Sequence, residues 1–290
     1  MSSLVFRPLV PGEESVFDSF PGRPSPMPFA DGLAAGGFAF SRTWIALRDG
    51  APVARAAWVL PPGSVGGPWL EVFDLNDSPE VGAALLRRAH DTFGDARPYY
   101  AVLPVDPRVA AAARLAGLIP TVERLRFRWT PTRSPVAHTS ADVRLATGPD
   151  EVRALIARLD TPDVLTGSET AWAVAGIDLA RDPMPWLTGP AAAWHVLHDD
   201  GRPVGLAGTA GEACWPMIVY LGIADGDSCT GRMDLLVAAL RALVAGGAEE
   251  VVADVESTFA ATIEDLRRAG FEQIRARLAF EPRDGSGTQG

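Results

Sequence analysis

The sequence contains no lysine, and only two cysteines, Cys214 and Cys229, occur among its 290 residues. Two cysteines are too few for a disulfide framework or a cysteine-based zinc site. The formal net charge is −10, and the arginines form no long basic run. Because nucleic acids and anionic membrane surfaces are bound by clustered cations, we expect neither as a partner.

Long hydrophobic segments are lacking as well. No apolar run reaches the roughly 18 residues that are needed to cross a bilayer. The first residues also lack the basic and then apolar pattern of a signal peptide. Hydrophobic residues make up 47% of the chain and charged residues 21%, which is typical of a globular protein. We therefore expect a soluble, cytoplasmic protein.

The chain repeats itself at a nearly constant spacing. The segment WIALRDGAPV at 44–53 recurs as WHVLHDDGRPV at 194–204, and further matches follow downstream in the same order. A period this long indicates a duplicated domain, since the repeats of solenoids run over about 20–50 residues. We predict one domain over 1–133, a second over 142–282, and a disordered tail at 283–290.

Each half is predicted to alternate strands and helices in the same order. The Asp-Gly turns at 49–50 and 200–201 predict hairpins. A long buried strand follows, then a helix, a strand, a helix that ends at Gly117 or Gly270, and a last strand. The Pro/Gly-rich segment 21–37 is predicted to be a loop. The order indicates an α/β fold with mixed sheets, present twice.

This order of elements resembles the GNAT acyltransferase fold, and the resemblance covers nearly all of both halves. Its most specific part is VVADVESTFAATIEDLRRAGFEQI at 251–274, similar to the family's strand, helix and Gly-Phe corner. The resemblance implies an acyl-CoA-dependent N-acyltransferase that acts on the amine of a small molecule. The cosubstrate would be acetyl-CoA or another acyl-CoA.

The resemblance also implies where the cosubstrate binds. The pantetheine arm would pair like an extra strand with the buried strand of the second half, and we expect Leu221 and Ile223 to contact it. The pyrophosphate would lie on N–H groups at the start of the next helix, which is a natural anion site. Of the residues at that turn, Gly231 matches the family motif. The residues predicted to bind the cosubstrate there are Ser228, Cys229, Thr230, Gly231, Arg232 and Met233.

The same turn in the first half, Leu75 to Glu80, contains no glycine and leaves little room for a phosphate. We therefore predict that the N-terminal domain is degenerate. It would be structural, or it would shape the acceptor pocket.

The catalytic residues are less clearly marked. The position of the tyrosine that many family members use as an acid is Leu266 here, and the frequent asparagine is Phe259. Candidates for proton transfer near the buried strand are Glu212 and Tyr220, with Ser257 at the end of the next strand. Glu212 has the alternative of a solvated loop carboxylate, and Tyr220 that of a core aromatic residue.

Other functions are compatible with these residues. The chain could be a non-catalytic GNAT-like protein that binds a ligand or partner after its cofactor site has decayed, or a GNAT scaffold for another acyl-thioester reaction. We predict no metal site, because His195 and His198 stand three apart on a predicted strand and so point to opposite faces.

Overall fold

The computed structural model describes residues 3–21, 27–60, 62–64, 67–93, 100–131, 141–159, 161–211, 216–224 and 229–282. The predicted tail at 283–290 lies outside this part of the chain. Contacts between Cα atoms divide the chain into two compact units. Unit 1 comprises Met1–Val122, Ala173–Gly176 and Arg277–Gly290, and unit 2 comprises Glu123–Trp172 and Ile177–Ala276.

The first sequence copy forms six strands and four helices within the described residues. The strands are β1 (Leu4–Pro8), β2 (Thr43–Arg48), β3 (Ala51–Val59), β4 (Trp69–Leu75), β5 (Tyr100–Pro104) and β6 (Leu118–Trp129). The helices are α1 (Glu14–Asp18), α2 (Phe29–Ala34), α3 (Pro79–Thr92) and α4 (Pro107–Leu115).

The second copy follows the same order, and its described residues include a short strand, β8, between its first two helices. Its strands are β7 (Asp142–Leu145), β8 (Val164–Leu165), β9 (Ala193–Asp199), β10 (Arg202–Ala210), β11 (Met217–Ile223), β12 (Val251–Glu256) and β13 (Glu272–Pro282). Its helices are α5 (Pro149–Ile156), α6 (Ser168–Ala175), α7 (Cys229–Ala245) and α8 (Ala260–Arg268).

Each unit takes its last strand from the other copy. In unit 1 the strand order is β1-β2-β3-β4-β5-β13, and the second part of β13 pairs antiparallel with β5. In unit 2 the order is β6-β12-β11-β10-β9-β7, and the second part of β6 pairs antiparallel with β12. The predicted ranges 1–133 and 142–282 follow the two sequence copies, whereas the compact units exchange these strands.

Both predicted hairpins are present, and their turns explain why. Asp49 and Gly50 have φ values of 50° and 83°, and Asp200 and Gly201 have φ values of 47° and 76°. A tight hairpin turn with positive φ at both central residues matches the twist of the flanking strands, and Asp-Gly adopts it at low energy. These turns join β2 to β3 in unit 1 and β9 to β10 in unit 2 as antiparallel pairs.

Helices cover both faces of each sheet. In unit 1, α3 and α4 pack on one face and α1 and α2 on the other. In unit 2, α7 and α8 pack on one face and α5 and α6 on the other. The leucines of α7 at 235, 236, 240 and 243 are all buried in one core, as an amphipathic helix requires.

The prediction that 21–37 is a loop is wrong, because α2 lies within it. Phe29 is buried and stacks on Phe38 with ring centroids 5.5 Å apart, and it also contacts Phe17. The carboxylate of Asp18 accepts a hydrogen bond from the Phe29 N–H at 3.0 Å. Tertiary packing of these rings therefore outweighs the low helix propensity of the surrounding prolines and glycines.

Candidate functional site

Strands β11 and β12 are parallel neighbours that pair at one position, Met217 with Val252. On its other side β11 pairs with β10, and the register shifts between Gly208 and Thr209 so that Val219 is an extra residue. Such a bulge bends a strand and interrupts regular pairing. Beyond the bulge, the edge of β11 that faces β12 is not paired with β12.

The short strand β8 occupies this edge. Leu165 pairs with Tyr220 and Val164 with Leu221 in antiparallel register. The Asp163 N–H donates to the Leu221 carbonyl at 2.7 Å, and the Thr166 N–H donates to the Val219 carbonyl at 2.9 Å. The edge at which the resemblance places a pantetheine arm thus carries a segment of the protein's own chain.

Thr166 connects β8 to both neighbouring strands. Its hydroxyl donates to the Ile218 carbonyl of β11 and accepts a hydrogen bond of 2.9 Å from the Asp254 N–H of β12. The Asp254 carboxylate accepts two hydrogen bonds of 2.7 Å from Arg126 on β6. Because Thr166 is only 1% exposed, these bonds are shielded from water. The three strands are therefore held together at the point where β11 and β12 diverge.

The start of α7 is surrounded by an ion-pair network. Arg232 lies 2.7 Å from Asp265 and 3.6 Å from Asp163, measured from guanidinium nitrogens to carboxylate oxygens. The Asp163 carboxylate also accepts a hydrogen bond of 2.8 Å from the Thr262 hydroxyl. Burial raises the pKa of Asp163, and the Thr262 hydrogen bond and the Arg232 charge oppose this change. The Arg232 guanidinium, which is predicted to contact a phosphate, thus forms ion pairs with two carboxylates.

The candidates for proton transfer lie in different surroundings. Tyr220 is completely buried, contacts the Trp194 ring, and has a hydroxyl without a hydrogen-bond partner among the described residues. Burial raises the pKa of Tyr220. Ser257 is half-buried just after β12, where its N–H donates to the Glu123 carbonyl at 2.9 Å. Glu212 lies outside the described residues, so the catalytic assignments stay predictions.

The residues predicted to contact the cosubstrate are only partly described. Leu221 is buried in the core beneath α7, and Ile223 and Met233 pack partly buried against the same core. The Cys229 and Thr230 backbone forms the first turn of α7, and Ser228 lies outside the described residues. These binding assignments also stay predictions.

Unit 1 has the same bulge but a different helix start. Strands β4 and β5 pair at Trp69 and Leu70, and the register between β3 and β4 shifts so that Glu71 is the extra residue. At the start of α3, the Asp77 carboxylate accepts hydrogen bonds of 2.7 Å from Arg48 and from the Ser78 N–H.

A second carboxylate, that of Glu80, stands in the first turn of α3. Hydrogen bonds to its own backbone N–H and to Ser78 lower the pKa of Glu80. A helix start that already holds two carboxylates is unfavourable for a diphosphate.

Two polar clusters in unit 1 are not predicted by the sequence. The Glu71 carboxylate accepts a hydrogen bond of 2.8 Å from the Trp69 indole and lies 2.9 Å from Arg277 of β13. Arg55 on β3 donates to Asp74 on β4 at 2.7 Å, and both side chains are buried. The only signal for either cluster is the register of the strands, which a single sequence does not display.

The described ranges contain no group of three or more His, Cys, Asp or Glu side chains that could hold a metal ion. Burial lowers the pKa of His195, and His198 lies 4.0 Å from Glu151. Within those ranges, no helix has the length and apolar character to cross a membrane.

No protein-family model matches the sequence, and no curated protein matches it at a significant level. Solved structures do match its fold. A GCN5-related N-acetyltransferase from Sphaerobacter thermophilus is 15% identical with a TM-score of 0.55, over 96% of this chain and 94% of that one. A GCN5-related N-acetyltransferase from Kribbella flavida is 17% identical with a TM-score of 0.53, over 80% and 88%.

A tandem GNAT protein from the clavulanic acid biosynthesis pathway matches at full length. It is 16% identical with a TM-score of 0.50, and the match covers 98% of this chain and all of that one. At these identities the likeness establishes the fold. The predicted tandem GNAT fold is therefore confirmed.

Proposed function

We propose that this tandem GNAT fold is an acyl-CoA-dependent N-acyltransferase, most simply an acetyltransferase, that acts on the amine of a small molecule. We further propose that its site lies in the C-terminal copy, along β11 and the start of α7, and that the N-terminal copy binds no cosubstrate. The carboxylates at the start of α3 support this choice of copy.

The observation that carries the proposal is the bulge at Val219 beside a neighbour that pairs at a single position. A bulge at that place directs backbone N–H and C=O groups of β11 into the divergence, where β12 does not pair with them. Backbone groups in a buried, water-poor site are suited to hold an extended amide chain and to polarise a carbonyl group. Unit 1 repeats the bulge at Glu71, which indicates that the duplicated ancestor already had this geometry.

The overall reaction needs little from the protein. The neutral amine forms a C–N bond to the acyl carbon, the C–S bond breaks, and the amine proton leaves while the thiolate departs. Positioning of the two reactants supplies much of the rate in such a transfer. Glu212, Tyr220 and Ser257 are our proposals for the groups that carry the proton. Of these, Tyr220 and Ser257 lie in the described residues, and Ser257 is the less buried of the two.

The described arrangement does not accept the arm of an acyl-CoA as it stands. The Val219 and Leu221 carbonyls already accept hydrogen bonds from Thr166 and Asp163, respectively. The same observation favours a second candidate function, a non-catalytic GNAT-like protein in which β8 has replaced the cosubstrate permanently. While β8 is paired with β11, the backbone groups of β11 at Val219 and Leu221 do not take part in catalysis.

Ligand binding separates the two functions. A ligand present at about 100 times its dissociation constant stabilises the native state by about 2.7 kcal/mol, so acetyl-CoA should raise the melting temperature. Release of free thiol in the presence of a panel of small amines would then identify acyl transfer. No thermal shift and no thiol release at millimolar acetyl-CoA would favour the non-catalytic function.

Gly231→Asp tests the location of the site, because it adds an anion where we propose that the diphosphate lies. We expect it to abolish the thermal shift. Gly148→Asp is the matched control, since it adds the same charge at the start of α5 and nothing lies within 4 Å of its Cβ position. Full retention of binding by Gly231→Asp would place the diphosphate elsewhere.

A further inference from the structure

We propose that Asp163 to Thr166 form an internal gate, a segment that occupies the acyl-CoA site in the ligand-free protein and leaves it when acyl-CoA binds. The proposal rests on the proposed function and adds a regulatory element to the same site. Four residues would thereby control access to β11.

The backbone of the gate takes the place of an extended ligand. Asp163 and Thr166 donate their N–H groups to carbonyls of β11, at 2.7 Å and 2.9 Å, on the edge that diverges from β12. A pantetheine arm carries two amide groups in an extended chain, and it would compete for the same carbonyls. Gate and ligand therefore cannot bind β11 together.

The side chains of the gate reproduce a second feature of the ligand. The Asp163 carboxylate lies 3.6 Å from Arg232 in the first turns of α7 and accepts a hydrogen bond from Thr262. This places an anion close to the helix start that we propose for the diphosphate. Movement of the gate would remove this charge from Arg232, which keeps its 2.7 Å contact with Asp265.

The gate is attached in a way that permits movement. It pairs with β11 over only two residues, Val164 and Leu165, whereas β10 pairs with β9 and with β11 over six or more positions each. It is followed by Gly167, whose φ of +77° lies in a region that glycine adopts without strain. Hinges lie at loop or element-terminal positions such as this one, which are often small residues.

Apolar packing and side-chain hydrogen bonds add to the backbone pairing that keeps the gate closed in the free protein. Val164 is buried in the core beneath α7 and Leu165 in the core beneath α5, and the Thr166 hydroxyl bonds to Ile218 and to Asp254. Removal of the hydroxyl takes these hydrogen bonds from the Ile218 carbonyl and the Asp254 N–H in the closed state. The open state is not affected, because Thr166 is away from both groups there. Thr166→Val should therefore shift the population toward the open state.

Hydrogen exchange on the wild-type protein tests the gate directly. In the absence of ligand, the amides of Asp163 and Thr166 should be protected; saturating acetyl-CoA should remove that protection. Acetyl-CoA binding with both amides still protected would overturn the proposal and leave the proposed function intact. This measurement needs no variant, so it stands even if a substitution impairs folding.

The affinity of Thr166→Val for acetyl-CoA provides the second test. A ligand that binds only the open state gains affinity in proportion to the open population. We expect about a tenfold lower dissociation constant, equivalent to 1.4 kcal/mol, measured by calorimetry. Thr209→Val is the matched control, because Thr209 is equally buried and its hydroxyl donates to the Ala191 carbonyl, away from β8.

The outcomes distinguish the gate from the proposed function. Unchanged affinity in Thr166→Val, or an equal gain in Thr209→Val, would overturn the gate alone. Absence of binding in the wild type and in Thr166→Val at millimolar acetyl-CoA, with the Asp163 amide shown to be exposed in the variant, would overturn the proposed function and the gate with it.

Discussion

Unit 1 and unit 2 carry different chemistry at equivalent positions beyond the bulges of β4 and β11. Three residues after its bulge, unit 1 has Asp74, which is paired across the strands with Arg55. Three residues after its bulge, unit 2 has Gly222, which is paired with Leu206 and covered by Leu159, 3.0 Å from the Cβ position of the glycine. Unit 1 thus holds a buried ion pair where unit 2 holds apolar groups.

The starts of the following helices differ in the same sense. The carboxylates at the start of α3, Asp77 and Glu80, belong to the helix start itself. The Asp163 carboxylate near the start of α7 comes from the separate segment that contains β8. Unit 1 therefore cannot lose its negative charge without unfolding a helix, whereas unit 2 can lose it by moving one short segment. This difference is why we assign ligand binding to unit 2.

The largest expected effect is on the ion pair of unit 1. Arg55→Ala removes the guanidinium that donates to the buried Asp74 carboxylate, and the Arg55 side chain is only 1% exposed. Loss of one partner of a buried ion pair destabilises a protein by about 3–5 kcal/mol. We expect a loss of this size in the free energy of unfolding, measured by urea denaturation followed by circular dichroism.

The control for this variant imitates unit 2. Arg55→Leu combined with Asp74→Leu removes both charges and places leucine where unit 2 has Leu206. We expect its stability to equal or exceed that of the wild type, because apolar replacement of a buried ion pair is often neutral or stabilising. A loss of less than about 1 kcal/mol in Arg55→Ala alone would contradict the importance of the pair.

Carboxylate substitutions at the two helix starts should respond to pH in opposite directions. Arg48 and the Ser78 N–H lower the pKa of Asp77, so its contribution to stability is present above the pKa of the unfolded chain and is lost as pH falls. Burial raises the pKa of Asp163, so its contribution is present at low pH and is lost as pH rises.

Denaturation of the asparagine variants between about pH 3 and pH 6 tests this contrast. As pH rises, the wild type should gain stability relative to Asp77→Asn and lose stability relative to Asp163→Asn. The two differences should therefore have slopes of opposite sign. Slopes of the same sign would mean that both carboxylates are held in the same way.

The smallest expected effect is that of Tyr220→Phe. The buried hydroxyl has no partner among the described residues, so its removal should leave stability unchanged or raise it by up to about 1 kcal/mol. Thermal denaturation measures this change, with Ser257→Ala as the half-buried comparison. A loss of more than about 1 kcal/mol would show that the hydroxyl is bonded in the folded protein.

Local signals in the sequence are enough to predict much of the fold. The Asp-Gly turns at 49–50 and 200–201 require positive φ at both residues, so they fix the hairpins of both units. The leucines of α7 recur at helical spacing, and all four face one core. The repetition of these signals in one order identifies a duplicated fold before any coordinates are known.

Features that depend on distant partners could not be predicted in this way. Strand β8 has two residues, too few for a periodic pattern, and it pairs with an edge of β11 that is available only because β12 diverges from it. The ion pair of Arg55 and Asp74 depends on strand register, and a register shift of one residue would turn a side chain to the other face. The pairing of β6 with β12 and of β13 with β5 likewise depends on strands that are distant in the sequence.

The most direct test of the account is a crystal structure of the protein with bound acetyl-CoA. We predict that the pantetheine arm pairs with β11 from Val219 to Leu221, that the diphosphate lies at the start of α7, and that residues 163–166 have left β11. Acetyl-CoA bound in unit 1, or bound in unit 2 with β8 still paired to β11, would contradict it.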